Sequence, residues 1–304
     1  MCSYFIHKIS LFISLILLAS CAAESSKPII MTSSFPVASI IRELTGNKIG
    51  VEVLVPAGAS PHTYAPKPSD IKNSSRALAF FSVAPNYDGW SRNIKSKLHF
   101  ELISFLPDSL KSYFGASHVH EEGTNHSKME SNSSVDPHFW LDPMAVKAII
   151  PALADTLAKI SPEIAGYVKK NSDLFIKRLD LIDIEVKALT ANLYGKPLFL
   201  QHPSMIYFAK RYNLEYMGSI EEVPGKEPGP KFIAELANRI KSSGTKAIFT
   251  EPQLNRKAAE VIAKSANVFL YELDPIGGTE KIRNYSDLIL VNAKVLGKAL
   301  SNYE

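Results

Sequence analysis

Short unbroken apolar runs alternate along this chain with longer stretches in which apolar residues recur every three or four positions. The first kind predicts strands and the second helices. Residues 28–32, 49–55 and 77–83 read as strands, with a helical pattern over 37–44. Beyond residue 196 the alternation resumes. Strands are expected at 197–201, 246–250 and 268–273, and helices at 205–212, 231–242, 258–266 and 285–300. Residues 220–230 form a Gly/Pro-rich loop, and 93–105 fit neither pattern. Strands alternating with helices predict parallel sheets covered by helices. The two halves also echo each other: Lys27-Pro28-Ile29-Ile30-Met31 begins one and Lys196-Pro197-Leu198-Phe199-Leu200 the other.

Between the halves lies one long helical pattern. Ser161 suits an N-cap, Pro162 the first helical position and Glu163 the first turn. Ile164, Val168, Phe175, Leu179, Ile182, Val186, Leu189 and Leu193 then mark one face, and Gly195 and Pro197 end it. A continuous helix over 162–194 would be roughly 50 Å long. The expected organisation is an N-terminal lobe at 28–160, a linking helix at 161–195 and a C-terminal lobe at 196–304. The fold class is thus α/β, with two lobes of mainly parallel sheet joined by a rigid helix. Within the first lobe, residues 116–134 are polar and almost without apolar side chains, and read as a mobile loop carrying His118, His120 and His126.

The start of the chain obeys a different logic. Residues 9–18 are apolar but far shorter than the ~20 residues that span a bilayer. Leu18-Ala19-Ser20 followed by Cys21 resembles a bacterial lipoprotein signal. That resemblance implies removal of residues 1–20, lipid on the Cys21 sulfur and a tether over 21–27. The chain would then sit outside the cytoplasm on a membrane surface. Cys2 leaves with the signal, so no internal disulfide remains and stability must come from an apolar core. The 34 basic and 30 acidic residues nearly balance, and no Lys/Arg run marks a nucleic-acid surface.

Chemistry concentrates in four turns, each rich in proline or following a predicted strand: SPHTYAPKPSD (60–70), DPHFWLDP (136–143), QHPS (201–204) and LDPIG (273–277). They carry His62, His138, His202 and Asp274. Three imidazoles and a carboxylate suit a borderline-soft divalent ion such as zinc. With two of the four in each half, they would meet in a cleft between lobes. Asp136 and Asp142 flank His138. Either can orient its ring, and Asp142 before Pro143 can instead cap a helix. Glu251 ends a strand and is either a further oxygen near the site or a loop carboxylate. The loop histidines either gather metal weakly or belong to a solvated insertion.

Taken in order, PHTYAPKPSD, DPHFWLDP, HPS with Tyr207-Phe208-Ala209, Phe249-Thr250-Glu251-Pro252 and Leu273-Asp274-Pro275 resemble the metal-binding lipoproteins that feed ABC importers of zinc and manganese. The resemblance implies metal capture and delivery to a membrane permease by a monomer that is not an enzyme. It also implies that His62, His138, His202 and Asp274 are the ligands. Manganese-preferring relatives often carry Glu at the third position. His202 and the His-containing loop resemble the zinc branch, with manganese or mixed-metal binding as the alternative. One segment departs from the pattern: Val83-Ala84-Pro85-Asn86-Tyr87-Asp88-Gly89-Trp90 replaces a usual Asn-Gly…Glu-x-Trp. Rival readings are a zinc hydrolase, against which this sequence has no HExxH motif, and a surface adhesin with a structural metal. A carrier of chelated metal would need an aromatic or Arg-lined cleft instead of ligands aimed at a bare ion.

Overall fold

A computed structural model describes residues 28–114 and 134–301. The expected signal at 1–20, Cys21, the tether at 21–27 and the histidines His118, His120 and His126 lie outside the described residues, as does the 116–134 loop except Ser134.

The first half runs through β1 (Ile29–Thr32), α1 (Phe35–Thr45), β2 (Gly50–Val53), α2 (Pro68–Ser74), β3 (Ala79–Ser82), α3 (Pro85–Asp88) and β4 (His99–Glu101). A helical hairpin follows, α4 (Pro143–Ile160) and α5 (Ala165–Leu189). The second half runs through β5 (Pro197–Leu200), α6 (Ile206–Arg211), β6 (Glu215–Ser219), α7 (Pro230–Ser242), β7 (Ala247–Thr250), α8 (Lys257–Ala266), β8 (Phe269–Glu272) and α9 (Tyr285–Ser301).

Each half holds one four-stranded parallel sheet, ordered β2-β1-β3-β4 and β6-β5-β7-β8. The same permutation occurs twice, and the echoed segments become β1 and β5, the matching strands of the two sheets. Winding reverses between β1 and β3 and between β5 and β7. At such a point the connections diverge and open a crevice at the carboxyl ends of the strands.

Strand period explains how the layers stack. Successive residues of a strand face opposite sides. Ile30, Ala79 and Phe81 of the first sheet, and Leu198, Leu200, Ala247 and Phe249 of the second, enter one continuous core with α1, α4, α5 and α9. Their neighbours turn the other way. Met31 and Phe80 join an outer cluster with Ile94. Phe199 and Ile248 pack against Leu236, Ile240 and Ile262 of α7 and α8. The halves therefore share a central core, with a separate apolar layer outside each sheet.

The expected long helix joins the two halves, with different ends. Residues Pro162–Ile164 form a 3-10 turn and α5 itself has 25 residues, about 38 Å, ending at Leu189. The Thr190 hydroxyl donates to the Val186 carbonyl at 2.8 Å, competing with backbone bonding at the end of the helix. Leu193 is buried beyond that end, and Gly195 turns the chain with φ +67°. Helix α4 carries buried Val146, Ile149, Ile150, Leu153 and Leu157 at helical spacing, but Pro151 interrupts the sequence signal. It is tolerated at an exposed position. Strand β6 was hidden by Gly218 and by a register irregularity opposite Leu198/Phe199. Helix α9 approaches α5 closely: a Cβ on Gly297 would stand 2.9 Å from the Leu189 carbonyl oxygen. Among the described residues no helix is long and apolar enough to cross a membrane.

Candidate metal centre

His202 lies two residues beyond the end of β5 and Glu251 directly follows β7, so both lie at the switch point of the second sheet. His202 Nδ1 is 2.7 Å from Glu251 Oε1, approached too obliquely to count as a formed hydrogen bond. The Ser204 hydroxyl donates to the same oxygen at 2.8 Å. Glu251, in the loop after β7, is buried beside the His202 ring.

His138 lies just before the 3-10 turn Phe139–Leu141. Its backbone N–H donates to Asp136 Oδ1 at 3.0 Å, and its Nδ1 lies 2.7 Å from the same oxygen. Full burial pushes the Asp136 carboxyl up to about 8. Asp142 has the other role: its Oδ1 accepts from the Met144 amide at 2.8 Å and caps α4. The segment between them is anchored to the second half. Trp140 Nε1 donates to the Pro275 carbonyl at 2.9 Å, and the Tyr285 hydroxyl donates to the Trp140 carbonyl at 2.8 Å. Arg211 of α6, paired to Asp183 of α5, stands 3.8 Å from Asp142.

His62 belongs to the turn after β2. Trp90 Nε1 donates to the Pro61 carbonyl at 2.8 Å, fixing that turn. Tyr64 and the Lys67 amide both donate to Asp70 Oδ2, which closes the start of α2. Tyr87 packs edge-on against His62, ring centroids 4.7 Å apart, and against His138 at 5.7 Å. The departing segment 83–90 is thus the buttress of the His62 ring. Sequence reasoning missed Tyr87 and Trp90 because nothing in their spacing marks contact with a turn some 25 residues earlier. Asp88, beside Tyr87, accepts from the Val83 and Ala84 amides at 2.8 and 3.1 Å, and burial pushes it up to about 6.

The three rings converge by their Nε2 atoms. His62 Nε2 and His202 Nε2 each lie 3.3 Å from His138 Nε2. Metal–nitrogen bonds of ~2.0–2.1 Å at tetrahedral angles give a nitrogen–nitrogen edge of ~3.3–3.4 Å, so this spacing matches zinc coordination. Burial holds His62 and His138 well below the usual imidazole range, and the neighbouring rings push the same way. Both are therefore neutral at neutral pH, with lone pairs free for a cation. Among the described residues these three form the group able to hold a metal, with one ligand atom from each within 4.8 Å of the others.

Asp274 stands outside that group. Its Oδ1 accepts from Gln253 Nε2 at 2.7 Å, Gly277 N at 2.8 Å and Ile276 N at 3.2 Å. Those donors do not engage Oδ2. Asn292 of α9 fixes the Asp274 backbone, accepting from its N–H and donating to its carbonyl, both at 2.8 Å. The Asp274 and Glu251 carboxylates still lie near enough to raise the Tyr87 hydroxyl, although burial and Asp88 act on it more strongly.

A family model described as zinc-uptake complex component A, periplasmic (ZnuA), matches residues 30–299. The zinc-binding protein AdcA of Streptococcus pyogenes serotype M3 is 30% identical over 263 residues, covering 83% of this chain and 51% of that protein. The chain spans about half the length of the curated relatives it matches. A crystal structure of a ZnuA deletion mutant with zinc bound superposes with a TM-score of 0.73 at 26% identity, covering 92% of this chain and all of the other. The periplasmic zinc-binding protein TroA from Treponema pallidum shares the fold, with a TM-score of 0.78 at 19% identity over 91% of this chain and all of the other.

Proposed function

Since this chain belongs to the zinc-uptake complex component A family, we propose that it captures a zinc ion outside the cytoplasm and delivers it to an ABC-type permease. The observation that carries the reading is the convergence of three imidazoles, with His62 Nε2 and His202 Nε2 each 3.3 Å from His138 Nε2. In the proposed complex, Nε2 of His62, His138 and His202 binds the ion and Asp274 Oδ2 completes a tetrahedron. Asp136 holds the tautomer of His138 so that Nε2 carries the lone pair, and Glu251, 2.7 Å from His202 Nδ1, would do the same for His202 once its ring turns to the metal. Nitrogen donors favour zinc over manganese, the alternative cargo.

A fourth ligand from protein leaves no position for an attacking water, which argues for carriage over hydrolysis. The Cys21 lipid and the 21–27 tether would hold the protein, as a monomer, at the membrane surface. The lobes at 28–160 and 196–304 would supply the two walls of the cleft, with 161–195 as its back. His118, His120 and His126 would gather zinc for transfer to the site.

Elemental analysis of the purified protein, followed by competitive titration with zinc and manganese, tests the proposal. One zinc per chain, preferred over manganese and lost in His138→Ala, is expected. A preference for manganese, or undiminished binding in His138→Ala, would overturn it. Deleting residues 116–134 should leave tight binding intact.

A further inference from the structure

The loop between β6 and α7 crosses to the first half at one point. An ideal Cβ on Gly225 would stand 3.0 Å from Thr63 Cγ2, and Gly225 has φ +82°. Thr63 is the residue after His62. The Gly225 N–H donates to Glu221 Oε2 at 2.7 Å. Glu221 is buried, and its Oε1 accepts from Gln201 Nε2 at 3.0 Å. Gln201 is fully buried, accepts from the Thr250 hydroxyl, donates to the Asn255 carbonyl at 2.9 Å and precedes His202. A continuous path thus runs from His202 through Gln201, Glu221, Gly225 and Thr63 to His62. It joins the two halves without passing through the metal position.

We infer that Gly225 is a positioning residue for metal retention: its bare backbone, fastened by Glu221, latches the His62 turn against the second half and slows release of the ion. The requirement for glycine has two parts. A left-handed φ penalises any side chain, and a Cβ here would press on the Thr63 methyl, which would have to yield. The buried network behind the loop stiffens the latch, because Glu221 is hydrogen-bonded at both oxygens, to Gln201 and to Gly225.

This inference rests on the zinc-capture reading, and its test separates the two. Zinc-loaded protein is mixed with excess chromogenic chelator and the release rate is followed by stopped flow. Gly225→Ala should release zinc about tenfold faster, through strain and steric push together. Thr63→Ser removes the methyl that a new Cβ would meet, so adding it to Gly225→Ala should bring the rate back towards wild type. Glu221→Gln leaves either the Gly225 amide or the Gln201 amide facing a donor, and should also speed release. Unchanged release in both Gly225→Ala and Glu221→Gln, or no recovery on adding Thr63→Ser, would overturn the latch while leaving zinc capture intact. Failure of the wild-type protein to load zinc would instead overturn the capture reading.

Discussion

Trp140 donates its indole N–H to the carbonyl of Pro275, joining the turn that carries His138 to the residue after Asp274. These two candidate ligands come from opposite halves of the sequence, yet one hydrogen bond between buried residues fixes the spacing of their backbones. Replacing Trp140 by Phe should leave the Pro275 carbonyl unpaired in the interior. The expected cost is about 1–3 kcal/mol of stability, read from urea denaturation. Zinc affinity should fall as well, because Asp274 is no longer held at a fixed distance from His138.

Glu251→Gln should weaken zinc binding about 10–100-fold, the usual effect of removing a carboxylate that orients a ligating imidazole. The fold should persist, since the Ser204 hydroxyl retains an oxygen acceptor. Competition with a chelator of known affinity gives the first result and far-ultraviolet circular dichroism the second. Unaltered affinity would show that His202 needs no support from Glu251.

Zinc binding at pH 7 should release about one proton. Burial pushes Asp136 up to about 8, so in the metal-free protein it holds a proton at neutral pH. An ion on His138 Nε2 makes the facing Nδ1–H a stronger donor and favours the ionised carboxylate. Titration calorimetry in buffers of different ionisation enthalpy should count that proton at pH 7, and almost none at pH 9 or in Asp136→Asn. The burial of neutral His62 and His138 has a separate signature. Their folded pKa values lie below the unfolded value of 6.5, so metal-free protein should lose stability as pH falls through and below 6.5.

Asp88 gives a stability change of opposite sign. Its folded value of about 6 exceeds the ordinary 3.8, so the folded state binds the proton more tightly. The stabilisation is present at low pH and is lost as pH rises through about 6. In wild type the Asp88 contribution should decline by about 2 kcal/mol between pH 4 and 7. The Asp88→Asn variant lacks that decline. Urea denaturation of both proteins at the two pH values should show their stability difference changing by that amount.

The strands that begin the two sheets were legible because 28–32 and 197–201 are short, apolar and followed by turns. The three histidines were legible because each stands in a distinctive turn, and burial of neighbouring aromatic residues then brings their rings together. Helix α4 was hidden by Pro151 and β6 by Gly218, since local signals speak of breaks that tertiary packing overrides. The role of Asp142 as a cap follows from Pro143, a local cue. The roles of Glu251 and Tyr87 do not, because each depends on which strand ends become neighbours. Asp274 shows the remaining gap: its turn is recognisable, but the three donors on Oδ1 could be found only in three dimensions.

The single apolar interior beneath both sheets makes the base of this molecule indivisible. Severing the chain between its halves would expose apolar surface on both fragments, because β1, β3, β5 and β7 share one core with helices of either half. A chimera that borrows one wall of the binding site from a relative must therefore import the matching floor as well.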